Sequence, residues 1–303
     1  VSSGELPPVA ERVPDMPYVD LMENQQIGHP GGSIRMLMGR PKDVRRLVVY
    51  GYARLVGFNA EMELEADILE SYQVEEGRIF TLNIRPGHKW SDGHPFTSED
   101  FRYYWEDVAN NRELYSFGPP HSLSVNDKPA KVEILGPYTV RYSWDAPNPD
   151  FLTLLAGPRP LYIYRPSHYL KQFHANYQTE DQLKSLVKKA KTRRRSWAAL
   201  HQRMDHQYKN DNTELPTLQP WVPITESPSE RFIFKRNPYY HRIDLQGNQL
   251  PYADEVIIQI ASSKLIPAKT GAGEADLQGL ALRLDNYTFL KEGELLNPYR
   301  TLL

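Results

Sequence analysis

Phe80-Thr81-Leu82-Asn83-Ile84-Arg85-Pro86-Gly87-His88-Lys89-Trp90-Ser91-Asp92-Gly93-His94-Pro95-Phe96-Thr97-Ser98-Glu99-Asp100-Phe101 is the stretch that decides the fold. Its opening alternates, with Phe80, Leu82 and Ile84 on one face, the period of a half-buried strand. Arg85-Pro86-Gly87-His88 turns the chain, and Trp90-Ser91-Asp92-Gly93 turns it again. Asp92-Gly93 supplies turn geometry and Trp90 packs, so this turn reads as a structural feature and not as a ligand site. Thr97 is placed to cap a helix, with Asp100 three residues on as its acidic partner. Phe101, Tyr104, Trp105 and Val108 then recur at i, i+3, i+4 and i+7, the spacing of one buried helix face. A strand, two turns and a capped helix therefore follow in close succession.

Working outward, Ser33-Ile34-Arg35-Met36-Leu37-Met38 after Gly31-Gly32 reads as a first strand. Leu47 to Phe58 is apolar and aromatic, a helix or strand packed under Tyr50 and Tyr52. Val132-Glu133-Ile134, the Gly136-Pro137 turn and Tyr138 to Trp144 form an expected hairpin. Residues 150–215 read as helical and polar. A second β region follows, with Phe232 and Phe234 alternating and Glu255 to Ile260 a β-branched run, separated by a turn-rich loop from Tyr239 to Tyr252. Pro7, Pro8, Pro14, Pro17 and Pro30 make residues 1–30 an extended arm. Strands and helices mix without regular βαβ alternation, which favours an α+β or mixed α/β fold.

The bulk numbers narrow the function classes. The 303 residues suffice for about two domains. Against 38 Asp plus Glu stand 36 Lys plus Arg, a formal net charge of −2, which argues against nucleic acid or a membrane surface as an electrostatically held partner. The 19 tyrosines offer flat apolar faces with polar tips, suited to polar ligands. With no cysteine there is no disulfide, thiolate nucleophile or Cys-ligated metal. No run approaches the roughly 18 apolar residues a bilayer span needs. Lys184 to Arg195 carries seven basic residues in twelve but lacks interleaved aromatics, and reads as a solvated helix face and loop. The nine histidines show no His-x-x-x-His pair, so they read as surface histidines and not as a metal site. Glu61, Glu63 and Glu65 alternate, but carboxylates alone are weak grounds for a glycosidase, and no nucleophile elbow, P-loop or Rossmann fingerprint is present.

Three stretches together resemble the peptide/nickel/opine-type family of bacterial extracellular solute-binding proteins, family 5. They are the stretch quoted above; Lys235-Arg236-Asn237-Pro238-Tyr239-Tyr240 followed by Gly247-Asn248-Gln249-Leu250-Pro251-Tyr252-Ala253-Asp254-Glu255-Val256; and Thr270-Gly271-Ala272-Gly273-Glu274-Ala275-Asp276-Leu277. They stand in the family's order and spacing. The resemblance implies a periplasmic-binding-protein-like fold of type II, peptide-binder class. It would present an N-terminal lobe with an inserted subdomain and a second lobe mostly absent, as in an N-terminal fragment of a longer chain. The expected layout is an extended arm (1–30), a first main-lobe segment (31–45), the insertion (46–195), the return to the main lobe (196–278) and the start of the second lobe (279–303).

The resemblance further implies the substrate-binding component of an ABC importer, not an enzyme. It would capture a small solute between two lobes that close like a hinged clamp and deliver it to permease subunits. Peptides are the commonest ligands of relatives, and an oligosaccharide is the alternative; a hydrolase and a repurposed interaction module are further readings. An extracytoplasmic, periplasmic location, a monomer in full-length form, no cofactor, no metal and no catalytic residue go with it. The loop after the first strand lies where relatives reach into the cleft, which singles out Met38, Arg40 and Asp43. Arg40 would pair with a carboxylate and Asp43 would receive an ammonium or sugar hydroxyls, the alternative being two solvated charges beside a Pro turn. Tyr50, Tyr52 and Tyr115 are the candidate aromatic walls, core or rim positions being the alternative for each.

Overall fold

The computed structural model describes residues 6–21, 27–190, 195–207 and 209–302. Eight strands build two four-stranded sheets. In chain order they are β1 (Ser33–Met38), β2 (Leu69–Glu75), β3 (Ile79–Ile84) and β4 (Lys131–Gly136), then β5 (Thr139–Ser143), β6 (Trp221–Pro223), β7 (Arg231–Arg236) and β8 (Glu255–Ile260). One sheet runs β2-β3-β5-β4 and is antiparallel throughout, β4 and β5 forming the expected hairpin. The other runs β6-β7-β8-β1, and its β8 and β1 are parallel, Val256 facing Ile34 and Ile258 facing Met36. Parallel neighbours need a crossover, and here everything between residues 39 and 254 serves as one.

Each sheet has its own core. Met36, Met38, Val44, Leu47, Phe232, Phe234, Val256 and Ile258 close the smaller one. The larger centres on Phe80, Trp144 and Phe151, whose ring centroids lie 5.0–5.9 Å apart in edge-to-face pairs, each worth about 0.5–1.5 kcal/mol beyond area burial. Ala198, Leu200, Leu215 and Leu218 also pack into the larger core, so that core continues past residue 195 and the chain rejoins the smaller sheet only at β6.

The helices relevant to the site are α1 (Leu47–Gly51), α2 (Ser98–Arg102), α3 (Phe151–Ala156), α4 (Glu180–Ala190) and α5 (Trp197–Met204). Thr97 and Asp100 form the expected reciprocal capping box. Beyond Arg102 the helix widens into a π-helix, Tyr103–Ala109, in which the Asn110 amide donates to the Trp105 carbonyl. The wider turn buries Tyr103 as well as Tyr104 and Val108, so the buried face is broader than a 3.6-residue period implies. Trp90 is buried and its indole N–H donates to Asp100 at 3.1 Å, which makes the Trp-Ser-Asp-Gly turn a packing device. Residues 150–215 are helical only in pieces, and those pieces are not uniformly polar, since Phe151 and Leu155 are buried.

Two expectations are corrected. The N-terminal arm is docked. It contains a short helix, Val9–Arg12, and Tyr18–Val19 pairs in parallel with Arg242–Ile243. Arg12, buried, donates to the Pro238 carbonyl at 2.8 Å and to Gln249 at 2.7 Å; many prolines fix the path of this segment without freeing it. Nor are the histidines all at the surface: His88, His174, His201 and His241 are buried, because their rings pack with aromatics while one nitrogen finds a partner. Within the basic run, residues 184–190 lie on α4 with Lys184 exposed and paired to Glu180, and residues 191–194 fall outside the described residues.

Candidate functional site

Two adjoining hollows lie where the loop after β1, α1 and the loop after α3 converge. One is lined by Arg45, Arg46, Tyr50, Arg159, His206 and Leu280, among others. The second, bounded by Val44, Trp221 and Phe234, shares Arg45, Val48 and His206 with it and adds Lys209. The groove therefore spans both cores. It also meets the segment that leaves the smaller sheet, since a side chain built at Gly279 would lie 3.5 Å from the Tyr50 hydroxyl. Asp276 fixes that segment through Arg35, whose Nη2–H donates to it at 2.7 Å, and the Gln278 side chain bridges the Leu37 backbone in both directions.

Arg54 joins the walls from behind. It is buried, and its guanidinium donates to the carbonyls of Val48 in α1 (3.1 Å) and of Gly157 beyond α3 (2.9 Å). Tyr52 adds a second clasp, donating its hydroxyl to the Ala156 carbonyl at 2.9 Å and accepting from the Phe58 amide at 3.1 Å. Tyr52 also ends α1 in the left-handed region, φ 40°, a conformation unfavourable for a bulky side chain that these two bonds and the Arg54 cation over its ring (4.7 Å) hold in place.

Charge is unevenly distributed here. Neither hollow has an Asp or Glu in its lining. Among the described residues no carboxylate lies within 4.0 Å of the guanidinium of Arg45, Arg46, Arg54 or Arg159. Burial holds the His206 imidazole below its ordinary pKa, Lys209 and Arg45 push it down further, and Asp211 opposes them. Burial raises the Tyr50 phenol, with Arg46 opposing.

The six residues singled out from the sequence do not converge. Met38 is wholly buried in the smaller core. Asp43 is buried too, and its carboxylate accepts from Arg40 at 3.2 Å, so its acceptor capacity is already engaged; Arg40 itself is exposed. Tyr52 is the clasp just described. Tyr115 lines a neighbouring hollow with Arg165 and Asp205, which touches the groove through His206. Only Tyr50 lies on the groove itself. Missed were Arg45, Arg46, Arg159, His206 and Lys209. The Arg45-Arg46 pair beside the chosen loop was a usable signal, whereas nothing local to Arg159 or His206 announces that the fold brings them together.

Behind the groove, adjoining Arg54, lies a buried charged cluster. Asp67 accepts from His241 Nε2 at 2.6 Å, from Arg242 at 2.7 and 3.0 Å and from the Arg54 amide at 2.8 Å. Burial pushes its carboxyl up, but Arg242 and His241 outweigh burial and leave it below the ordinary carboxylate range. Burial holds the His241 imidazole below its ordinary pKa, with Asp67 opposing. His88 packs 5.0 Å from that ring, and burial holds it well below its ordinary pKa, with His241 and Arg85 adding to the effect. Among the described residues no group of three or more His, Cys, Asp or Glu is placed to hold a metal ion, and no helix is long and apolar enough to cross a membrane.

A mixed sheet interrupted by a long subdomain, with a groove open along the seam, is the fold of the periplasmic solute-binding proteins. The chain belongs to the bacterial extracellular solute-binding proteins, family 5, whose model matches residues 63–300. Superposition on an oligopeptide-binding protein OppA gives a TM-score of 0.85 at 32% identity, covering 99% of this chain and 47% of that one. The periplasmic α-galactoside-binding protein of Rhizobium meliloti (strain 1021) is 27% identical over 92% of this chain and 40% of its own length. MelB of Agrobacterium fabrum C58, solved with stachyose, shares the fold with a TM-score of 0.73 at 23% identity, covering 96% of this chain and 44% of that one. The chain thus spans less than half the length of these relatives.

Proposed function

We propose that this chain is one jaw of a hinged trap that captures a solute outside the cytoplasm and hands it, chemically unchanged, to the permease of an ABC importer. In this reading β1 and β6–β8 form the main lobe, the β2–β5 sheet with its helices is the insertion, and the segment from residue 279 leads into the second jaw. The observation that carries the reading is the open groove across both cores, ending at Gly279. Exposed Leu284, Phe289, Leu295 and Leu296 beyond it support a further polypeptide covering this end, because apolar side chains clustered on a surface mark contact sites. Relatives whose names include "periplasmic" support the location, and one jaw per solute fits a monomer.

The ligand we favour is a peptide, supported by the OppA likeness over nearly the whole chain. An oligosaccharide is the second reading, supported by the α-galactoside-binding relative, which matches 92% of the chain. A thermal-shift screen with peptides and oligosaccharides, run on this chain and on a version extended to its relatives' length, tests both. A ligand that binds only the folded form stabilises it by about 2.7 kcal/mol at a hundredfold excess over its Kd. Ligand recovered intact with a raised Tm supports the trap; ligand consumed during incubation points to a hydrolase instead, and silence of both libraries against the extended protein refutes the solute-binding reading.

A further inference from the structure

We propose that the groove selects solutes bearing an anionic group, a carboxylate above all, an inference that rests on the solute-binding reading and names the chemistry of its ligand. The chain as a whole is nearly balanced, 36 basic against 38 acidic residues. The groove is not balanced: its linings hold Arg45, Arg46, Arg159 and Lys209 and no acidic side chain. Arg46, Arg159 and Lys209 are exposed and Arg45 half-buried, so the guanidinium forks remain open to a ligand. This contrasts with other arginines of the molecule: Arg35, Arg102, Arg165 and Arg242 each hold a carboxylate at 2.7–3.0 Å.

A second observation comes from behind the wall. Arg54 is a buried cation that lies over the Tyr52 ring and whose N–H groups donate only to carbonyl oxygens among the described residues. Neutral dipoles satisfy its N–H groups and leave its charge uncancelled, and low-permittivity walls focus such a field into the cleft they enclose. Arginine suits this task because its planar fork meets a carboxylate with two parallel bonds, and Tyr50 beside it offers an apolar face with a hydroxyl at its tip.

The chemistry does not tell an acidic peptide from an acidic sugar, so the test carries both, each against a neutral twin. Saturation-transfer NMR at millimolar ligand, on this chain, compares acetyl-Ala-Glu-Ala-amide with acetyl-Ala-Gln-Ala-amide, and digalacturonate with its methyl ester. One acidic member is expected to bind roughly tenfold or more tighter than its twin, the ratio one charge-assisted pair supplies, and the better pair names the source. Arg45→Gln and Arg159→Gln should bring that ratio toward one, while Arg159→Lys, which keeps the charge, retains most of it; circular dichroism checks that each variant is folded. Equal binding of both twins, or a ratio indifferent to the Gln variants, overturns the anion preference and leaves the trap standing. Failure of all four ligands to bind this chain overturns the preference for this half of the cleft, and the library screen on the extended protein then decides the trap separately.

Discussion

Replacing Asp67 by Asn keeps the shape of the buried cluster and removes the carboxylate at its centre. Arg242 then keeps a mostly buried guanidinium whose remaining carboxylate neighbour, Asp20, is more exposed and lies at 4.0 Å, and the new amide presents two donors to neighbours that are donors themselves: His241 Nε2–H, the Arg242 fork and the Arg54 amide. Two unit charges about 4 Å apart attract by about 4 kcal/mol at an effective permittivity of about 20. Breaking a buried pair from one side costs about 3–5 kcal/mol, a large part of the about 5–15 kcal/mol by which domains are stable. Urea denaturation at pH 7 should show a lower midpoint with an unchanged slope. The double variant Asp67→Asn/Arg242→Gln should cost less than the sum of its parts, because the second change removes the stranded cation. The wild-type acid limb supplies the sign. A carboxyl held below its ordinary pKa in the folded state contributes fully above about pH 4, the unfolded value, and its contribution fades as pH falls through the lower folded value; Asp67→Asn should lack that limb. A loss under about 1 kcal/mol at pH 7 would refute the reasoning, for it would mean that Arg242 finds compensation elsewhere.

The buried histidines make a separate pH prediction. Burial holds His88, His174, His201 and His241 below their ordinary pKa, His201 at about 3. Between that folded value and about 6.5 the unfolded chain binds protons that the folded chain refuses, so stability is full above about pH 6.5 and falls as pH drops, by up to about 1.4 kcal/mol per pH unit for each such histidine. Denaturation midpoints measured from pH 7 to pH 5 should fall steeply, and a flat profile would show that these rings take up protons in the fold. Two glycines test backbone against packing: Gly93→Ala should cost more than Gly247→Ala. Both sit at positive φ, 89° and 82°, but a methyl at Gly93 would come within 3.0 Å of the Tyr239 ring, while nothing lies within 4 Å at Gly247. Equal losses, each about 1 kcal/mol, would mean that the ring moves away freely.

The local parts of the fold were readable from residue spacing. The strand from Ile79 to Ile84, the capping box at Thr97 and the Gly136-Pro137 hairpin each depend on neighbours a few positions away, where periodicity and cap chemistry act. The docked arm was not readable, because its anchor is Arg12 reaching Gln249, 237 positions along the chain. The same distance hid the histidines: His241 is buried by a carboxylate 174 positions away, and its own surroundings, Tyr240 and Arg242, suggest either surface or core. For the candidate site, the chosen loop adjoins the groove, and of the six side chains chosen only Tyr50 lines it. Asp43 stands three residues from both Arg40 and Arg46 but pairs with Arg40, a choice that spacing does not decide, and Arg45 and Arg46 line the groove.

These failures and the charged cluster have a common physical root. A groove wall that presents cations without carboxylate partners gains no stability from them and suffers their mutual repulsion, so its shape must be fixed from elsewhere. The buried contacts show from where. Arg242 donates to the Tyr52 carbonyl at 2.9 Å while it holds Asp67. Asp67 holds the Arg54 amide, and the Arg54 side chain ties α1 to Gly157. Tyr18 of the arm pairs with Arg242 in the strand ladder and donates its hydroxyl to Glu65 at 2.6 Å. The arm, the return from the insertion and the helix bearing Tyr50 thus meet at one buried carboxylate. In the proposed trap such preorganisation would matter, because a wall already in its bound shape loses less entropy when a solute arrives. On the same proposal the buried charges fix the backbone behind the groove, and the arginines that line it would be left to meet a ligand.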